Sequence, residues 1–349
     1  MTAQDPIETL ITTYHELNAT LIDELHEEPS ALEFMRYVAR NRPFVVRGGA
    51  KGWKACESWD ASYLADIMRD EDVQVAVTPY GNADGVVERA DGELLMVEPH
   101  QTKENFVDFI RYVQADNSLP SPTPPEVRNV KYAQTQNDNL RAEYASLFAD
   151  VPSDVSWARI ALQQSADAIN FWLGNARSVT ALHRDNYENV YVQVIGRKHF
   201  VLLPPIETPC VNEKPLLQTR YAPAEGGQLK IEASDGAEKV PVPIWDPEVP
   251  EARASEYSYL SRKLDVTLEE GDMLYLPAMW YHKVMQTSGK EGFACAVNYW
   301  YDMSFEGSFW ASNCFVRDAA LAKERVVRYP DLAMGDEGQQ GVGQQSLGR

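Results

Sequence analysis

The hydrophobic pattern divides the chain into a helical beginning, a middle of short strands and a helical end. Residues 5–28 carry apolar side chains three and four positions apart, which predicts an amphipathic helix. Ser30 is a suitable N-cap for a second helix over residues 31–39. Residues 306–328 show helical spacing before Pro330. We expect this last helix either to pack back on the domain or to form the interface of a homodimer.

Between residues 41 and 303, short apolar runs are separated by glycine and proline. Helices are expected over residues 104–115 and 139–148, whereas residues 79–85 form a loop. The predicted strands cover residues 42–49, 73–78, 129–134, 168–173, 179–182, 188–195, 198–203, 264–268, 273–276, 283–286 and 293–299. Many short strands with turns between them predict a mainly β, α+β fold with a sandwich or jelly-roll core and flanking helices.

Three segments lack the strand pattern. Residues 204–263 are rich in Pro, Glu and Ser, and we expect a structureless insert that acts as a lid or substrate-binding element. Residues 118–125 are rich in proline and form a loop, and the Gly/Gln-rich tail is expected to be disordered. The predicted organisation is a helical region at 1–40, a domain at 41–303 with its insert, a helix at 304–330 and a tail at 331–349.

Charge and cysteine content narrow the class of protein. The chain of 349 residues has 32 Lys plus Arg and 52 Asp plus Glu, for a formal charge of −20. Such a surface repels phosphate backbones and would attract basic partners, although solubility alone explains it equally well. The four cysteines form no CxxC pair, which argues against a zinc finger or a disulfide framework. Without a signal peptide or an apolar stretch of roughly 20 residues, we expect a cytoplasmic protein that also enters the nucleus, with no membrane partner.

The candidate chemistry lies in residues 179–203. His183 and Asp185 would point to one face of a strand, because strand side chains alternate with period two. His282, which follows a predicted buried strand, could complete the two-histidine, one-carboxylate set that binds Fe(II) with open positions. An isolated His-x-Asp is a weak signal, since a polar residue at a strand end and a turn carboxylate give the same pattern.

Two further residues strengthen the pattern. Lys198 lies on the next predicted strand, and a buried lysine is rare unless it is paired. With Thr180 it could bind the distal carboxylate of a dicarboxylate cosubstrate, although an edge-strand charge and a plain strand residue are the alternatives. His199 alternates to the other face, so we predict that it is not a ligand. His15 and His26 are expected at the surface.

The sequence resembles the Jumonji-C oxygenases through the motifs NFWLG, TALHRDNYENVYVQVIGRKHF, GDMLYLPAMWYH and AVNYWYD, within a likeness from about residue 41 to 303. The resemblance implies a double-stranded β-helix that uses Fe(II), 2-oxoglutarate and O₂ and releases succinate and CO₂. It implies His183, Asp185 and His282 as iron ligands. It further implies that Lys198, Thr180 and Tyr132 surround the distal carboxylate of 2-oxoglutarate. It also implies that Asn189 and Asn298 lie near the iron-chelating end of the same molecule and that Trp280 lines the pocket wall.

The likeness is to small members of the family that hydroxylate lysine at C3, which implies lysine-bearing protein or peptide substrates, GTP-binding proteins among them. Three alternatives stay open: a methyl-lysine demethylase, a peptidase and a non-catalytic cupin-like binding module. No GxSxG or activated cysteine supports a peptidase. A degenerate binding module tends to lose one of the metal ligands. An acidic residue is expected to hold the substrate ammonium, and Glu188 is a weak candidate for that role.

Overall fold

The computed structural model describes residues 5–117, 128–233 and 236–328. Its α-helices are α1 (Pro6–Leu17), α2 (Ala31–Arg40), α3 (Lys54–Ser58), α4 (Ala61–Ile67), α5 (Phe106–Asn117), α6 (Ser156–Leu162) and α7 (Phe309–Arg328). Short 3-10 helices lie at Ala145–Asp150, Pro205–Glu207, Glu225–Gly227 and Ser258–Leu260. The predicted proline-rich loop at 118–125 and the tail at 331–349 lie outside the described residues.

The strands are short, as the sequence pattern predicts. They are β1 (Asp23–Leu25), β2 (Phe44–Val46), β3 (Asp72–Thr78), β4 (Asn82–Ala83), β5 (Gly85–Glu88), β6 (Leu94–Glu98), β7 (His100–Asn105), β8 (Val130–Tyr132), β9 (Ala168–Gly174), β10 (Val179–His183), β11 (Tyr187–Ile195), β12 (Arg197–Leu203), β13 (Glu213–Pro223), β14 (Leu229–Ala233), β15 (Lys239–Pro243), β16 (Leu264–Leu268), β17 (Met273–Leu276), β18 (Tyr281–Thr287) and β19 (Ala294–Asp302). Every strand predicted from 168 onward is present, within a few residues at each end.

Two sheets face each other and form the predicted jelly-roll core. One has the strand order β1-β2-β17-β11-β19-β9, and the other has the order β16-β12-β18-β10-β4. Tyr191 of the first sheet meets Phe200 of the second edge to face, with ring centroids 5.1 Å apart. Both side chains belong to one buried apolar cluster between the sheets. Removal of this apolar surface from water holds the two sheets together.

Helices cover the outer face of the larger sheet. Val190 and Val192 point outward from β11 into a second cluster, which also contains Phe34 of α2 and Trp157 of α6. The strand β11 is therefore buried on both faces, which explains why its sequence YENVYVQVI is apolar almost throughout. Residues whose side chains alternate to the inner face line the space between the sheets.

One glycine determines the turn that joins β11 to β12. Gly196 has a φ of +71°, and a Cβ at this position would lie 2.7 Å from the carbonyl oxygen of Thr287. Any other residue would be strained and would also collide with backbone, so this tight connection requires glycine. The turn brings β12, which carries Lys198, across to the second sheet.

The insert at 204–263 is not structureless, contrary to the sequence prediction. It contributes β13, β14 and β15 to a third sheet with the order β14-β13-β6-β5, in which β15 also pairs with β13. β13 runs parallel to β6, and Tyr221 packs on Leu95 and Val97 in a cluster of its own. The prediction failed because much of this segment alternates weakly, and its pairing partner lies far away in the sequence.

The N-terminal helix is shorter than the predicted span of 5–28. α1 ends at Leu17, and residues 23–25 pair with β2 as a parallel strand. Leu17, the last residue of α1, and Leu21, beyond it, match the helical spacing but are 79% and 77% exposed, so the apolar spacing there does not mark a buried helix face. The second helix agrees with prediction, and the Ser30 side chain accepts a hydrogen bond from the backbone N–H of Glu33.

The helix predicted over residues 139–148 is also wrong. The Asn139 side chain exchanges two hydrogen bonds with the backbone of Phe171 in β9, at 2.6 and 3.0 Å. This pairing holds the segment against the sheet, and helical structure starts only at Ala145 as a 3-10 helix. The predicted loop at 79–85 likewise contains the short strand β4.

The first predicted surface histidine is not at the surface. The His15 side chain is only 7% exposed, and its Nε2 lies 2.9 Å from a carboxylate oxygen of the buried Glu207. His26 is exposed as predicted. Among the described residues, we find no helix that combines the length and apolar character needed to cross a membrane.

Candidate metal centre

Three side chains from distant parts of the sequence converge at one end of the jelly roll. His183, Asp185 and His282 each offer a ligand atom, and these atoms lie within 4.8 Å of one another. An Asp185 carboxylate oxygen is 3.7 Å from Nε2 of His183 and 3.6 Å from Nε2 of His282. His282 is buried, whereas the other two side chains are partly exposed. The cluster is therefore enclosed on one side and open on the other.

Strand register brings the two histidines together. β10 and β18 are antiparallel, and His183 stands directly opposite His282. Their ring centroids are 4.1 Å apart. The backbone N–H of Met279 donates to the carbonyl oxygen of Asp185 at 2.8 Å, so the turn before β18 also holds the segment that carries the carboxylate.

Backbone carbonyl groups orient both imidazole rings. Nδ1 of His183 lies 2.8 Å from the carbonyl oxygen of Ala181, and Nδ1 of His282 lies 3.0 Å from that of Trp280. A carbonyl can only accept, so the neutral form of each ring carries its proton on Nδ1 and keeps a lone pair on Nε2. Both lone pairs belong to the nitrogen atoms that face Asp185. Two neutral imidazoles and one carboxylate are the ligand set that suits Fe(II) with open positions.

Burial keeps one of these rings neutral. Desolvation, with a contribution from the neighbouring His183, lowers the pKa of His282 to about 4, although Asp185 and the Trp280 carbonyl oppose the shift. A metal ion needs the unprotonated imidazole. At neutral pH the His282 ring is therefore ready to bind a cation without first losing a proton.

A buried lysine lies deeper between the sheets. Lys198 is 2% exposed, and its Nζ donates to the hydroxyl of Tyr132 at 2.8 Å. Among the described residues, this phenol is the one hydrogen-bond acceptor that the ammonium has. Burial lowers the pKa of Lys198 to about 7. An ammonium has three donors and benefits from an anion in such a place, which makes this position suitable for the carboxylate of a small ligand.

Thr180 reaches the same interior face through a β-bulge. Across β10 and β18, Thr180 pairs with Val284 and His183 pairs with His282, so two residues between these pairs on β10 oppose one on β18. Regular alternation would put residues 180 and 183 on opposite faces. The extra residue turns both inward.

The comparisons with known proteins agree with this geometry. A model of the cupin-like domain matches residues 29–307. The chain is 37% identical to the human bifunctional peptidase and (3S)-lysyl hydroxylase JMJD7, over 81% of this chain and 84% of that protein. It is 36% identical to the lysine-specific demethylase JMJ32 of Arabidopsis thaliana, over 86% and 87%, and 34% identical to the JmjC domain-containing protein E of Dictyostelium discoideum, over 80% and 83%.

This chain belongs to the cupin-like JmjC family. JmjC proteins are oxygenases that depend on Fe(II) and 2-oxoglutarate, and the His-Asp-His cluster is the donor set that such a metal requires. The resemblance that the sequence motifs indicated is thus confirmed, as is the double-sheet fold.

Two asparagines of the JmjC domain form a polar ladder on the inner face of the larger sheet. Asn298 donates to the side-chain oxygen of Asn189 at 3.0 Å and accepts from the indole N–H of Trp172 at 2.8 Å. Both asparagines are buried. Sequence reasoning quoted Trp172 only as part of the NFWLG motif and missed its role as the third member, which its alternation with Asn170 and its polar N–H would have indicated.

Trp280 makes polar contacts as well as apolar ones. Its indole N–H donates to the carbonyl and side-chain oxygens of Asn41, at 2.9 and 2.7 Å, and its own carbonyl orients His282. The ring is 1% exposed and packs in the apolar cluster between the sheets. Trp280 therefore anchors the start of β18 to the N-terminal segment of the domain.

The structure gives different outcomes for two further sequence predictions, those for His199 and Glu188. The ring nitrogens of His199 pair with the hydroxyls of Thr267 and Thr287, away from the metal cluster, so it is not a ligand in this geometry. Glu188 accepts from the Tyr275 hydroxyl at 2.6 Å and from the backbone of Ala278, and it is buried. It is therefore unavailable to a substrate ammonium.

The insert is tied to the segment that carries the candidate metal-binding residues. Arg184, between two members of the cluster, forms an ion pair with Glu213 of β13 at 3.1 Å and stacks over Tyr281. The Tyr281 hydroxyl donates to the same carboxylate at 2.6 Å. The third sheet thus supports the candidate metal centre from outside.

Proposed function

We propose that the protein is an Fe(II)- and 2-oxoglutarate-dependent protein hydroxylase that adds one oxygen atom to C3 of lysyl side chains. The observation that carries this proposal is the combination of an open His-Asp-His cluster with a buried ammonium deeper in the same barrel. The resemblance to a (3S)-lysyl hydroxylase supports C3 as the position of hydroxylation and lysine as the modified residue. GTP-binding proteins are the substrate class that the resemblance favours.

Each residue has a proposed role. His183, Asp185 and His282 hold the metal ion through two imidazole nitrogens and one carboxylate. Lys198, Tyr132 and Thr180 bind the distal carboxylate of 2-oxoglutarate. Asn189 and Asn298, with Trp172, present polar groups near its chelating end, and Trp280 closes the wall and orients His282.

The difficult oxidation chemistry would come from Fe(II), O₂ and 2-oxoglutarate when these are bound. The balance is one substrate C–H, one O₂ and one 2-oxoglutarate converted to one alcohol, one succinate and one CO₂. The protein supplies ligands, fixes the cosubstrate by its far carboxylate and excludes water. The ion pair between Lys198 and that carboxylate would gain strength from burial, because the local dielectric is low.

A methyl-lysine demethylase is the second candidate. The similarity to the lysine-specific demethylase JMJ32 supports it, since the same iron core serves both reactions. A peptidase activity is named for JMJD7, but Cys210 and Cys295 are buried and burial raises the pKa of each thiol, which opposes a thiolate nucleophile. A non-catalytic binding module remains the alternative without chemistry.

One assay separates these functions. The protein, reconstituted anaerobically with Fe(II), would be given 2-oxoglutarate, O₂ and lysine-bearing peptides from a cell lysate, and succinate and peptide masses would be measured. Gain of one oxygen on lysine supports the hydroxylase, loss of a methylene from methyl-lysine supports the demethylase, and shortened peptides support the peptidase. Succinate release with none of these changes, or no turnover at all, would contradict the proposal.

We further propose a cytoplasmic and nuclear homodimer without nucleic-acid or membrane partners. Exposed Phe315 on α7, at 73%, supports a role for the terminal helix in the dimer. Sedimentation of the wild type and of Phe315→Glu tests the dimer, and fluorescent tagging tests the compartment.

A further inference from the structure

The carboxyl group of Asp84 lies beside β10, the strand that carries His183, and has no lysine or arginine partner among the described residues. Within residues 5–117, 128–233 and 236–328 it forms no ion pair with lysine or arginine. Its hydrogen bond comes from the side-chain amide of Gln134, at 3.2 Å. Burial raises the pKa of this carboxyl group and Glu98 adds to the rise, whereas His183 and the hydrogen bond from Gln134 oppose it.

Strand pairing explains why this acid is next to the cluster. β4 runs parallel to β10, with Ala83 beside Thr180. Asp84 follows directly and has a φ of +55°, a left-handed conformation that turns the chain away from β4 towards β5. The carboxyl group therefore sits level with the part of β10 that leads to His183.

A second acceptor points to a missing ligand at the same place. Oε1 of Gln134 is buried without a hydrogen-bond partner, and the residue is 6% exposed. The other end of this amide donates to Asp84, so the unpartnered oxygen belongs to the group that touches the carboxylate. Buried acceptors without donors are costly and are normally satisfied. The lack of a donor to the Gln134 oxygen indicates that a hydrogen-bond donor arrives with a ligand.

Other acids near the site are already occupied. Glu188 binds Tyr275 and Ala278, and Glu213 binds Arg184 and Tyr281. Glu98 accepts from the side chain of Gln218. Asp84 is thus the carboxyl group beside the cluster that lacks a strong donor among the described residues.

We propose that Asp84, with the amide oxygen of Gln134, binds the cationic head group of the substrate lysine. The nature of the reaction rests on the proposed function, whereas the charge of the ligand rests on these two acceptors. Both need N–H donors, so an unmethylated ammonium satisfies them and a trimethylammonium, which has none, does not. The site therefore selects unmodified lysine and favours hydroxylation of carbon over removal of methyl groups.

Catalysis provides the first test. We would compare the wild type with Asp84→Asn and with the control Asp91→Asn, whose carboxyl group lies in the exposed turn after β5. The two substrates are a lysine peptide that the wild type hydroxylates and the same peptide with norleucine in place of lysine. We expect Asp84→Asn to lose about 10- to 100-fold in kcat/KM on the lysine peptide, the range for a hydrogen bond to a charged group, and nothing on the norleucine peptide. Equal losses on both peptides, or loss of the metal itself, would overturn the inference.

Binding provides a test that does not need turnover. Protein loaded with Zn(II) and 2-oxoglutarate would be titrated with n-pentylammonium and with 1-pentanol, followed by NMR. The wild type should prefer the ammonium by at least about tenfold, and Asp84→Asn and Gln134→Leu should each reduce this preference. A wild type that binds both compounds equally refutes the inference, even if lysyl peptides are hydroxylated. A clear preference in a protein that oxidises no peptide would refute only the proposed function.

Discussion

The Nζ atom of Lys198 and the hydroxyl oxygen of Tyr132 lie 2.8 Å apart, although the two residues are far apart in the sequence. One comes from β12 in the smaller sheet and the other from β8, which reaches the barrel beside β9 through the pairing of Ala133 with Leu173. A buried ammonium with a neutral partner is poorly stabilised in the free protein. Its position is explained if an anion completes the site.

Replacement of Lys198 by Met should weaken 2-oxoglutarate and stabilise the protein without it. We expect the dissociation constant for 2-oxoglutarate to rise about 10- to 100-fold, the range for a hydrogen bond to a charged group. The melting temperature without cosubstrate should rise, because a buried charge is removed. Calorimetric titration and thermal unfolding measure these effects, with Lys263→Met at the surface as the control. Unchanged cosubstrate affinity would show that Lys198 has another role.

The affinity for 2-oxoglutarate should fall as the pH rises above neutrality. Burial lowers the pKa of Lys198 to about 7, so above that pH the free protein increasingly carries a neutral amine. The dicarboxylate favours the ammonium form, so binding must take up a proton there and weakens by at most about tenfold per pH unit. Titrations at pH 8.5 in two buffers of different ionisation enthalpy measure this uptake, which Lys198→Met should abolish. Proton uptake that persists in the variant would show that a group other than Lys198 takes up the proton.

Removal of the His282 ring should abolish metal binding, whereas removal of the His199 ring, which lies away from the cluster, should not. Excess Mn(II) or Co(II) should raise the melting temperature of the wild type by a few degrees through preferential binding to the folded state. His282→Ala should show no such rise, because one of three ligands is lost. His199→Ala is the matched control, since its ring pairs with Thr267 and Thr287. Equal metal responses in both variants would exclude His282 as a ligand.

The hydroxyl of Thr180 should contribute a modest part of cosubstrate binding. We expect Thr180→Val, which keeps the shape, to raise KM for 2-oxoglutarate about two- to tenfold, the value of one neutral hydrogen bond. Thr180→Ser retains the hydroxyl and should stay near the wild-type value. Steady-state succinate release at varied 2-oxoglutarate measures both. A larger effect of Ser than of Val would mean that packing, not the hydroxyl, matters at this position.

The ion pair of Arg184 with Glu213 should couple the insert to the metal centre. Glu213→Leu leaves a largely buried guanidinium without its carboxylate, and we expect the free energy of unfolding to fall by about 1–3 kcal/mol. Arg184→Met combined with Glu213→Leu should be less destabilised than the sum of the single changes, because neither charge is then left unpaired. Urea unfolding of the four proteins measures the coupling. Strict additivity would show that the two residues do not interact.

Local pattern was sufficient for much of the site. His183 and Asp185 are two positions apart, and period two alone predicts their common side, although β10 ends at His183 and Asp185 follows it. Lys198 was conspicuous because a charged residue rarely sits in an apolar strand. The spacing of glycine, proline and short apolar runs likewise predicted the strands from 168 to 299, because each run depends only on neighbouring residues.

Local sequence was enough to identify the strand segments of the core and the residue types that can hold a metal and a dicarboxylate. Which of these residues meet depends on the folded chain. The bulge that turns Thr180 inward, the pairing that places Asp84 beside β10, and the strands of the insert all depend on partners far away in the chain. Hydrogen bonds between strands fix register, and register is a property of two segments that neither sequence contains alone.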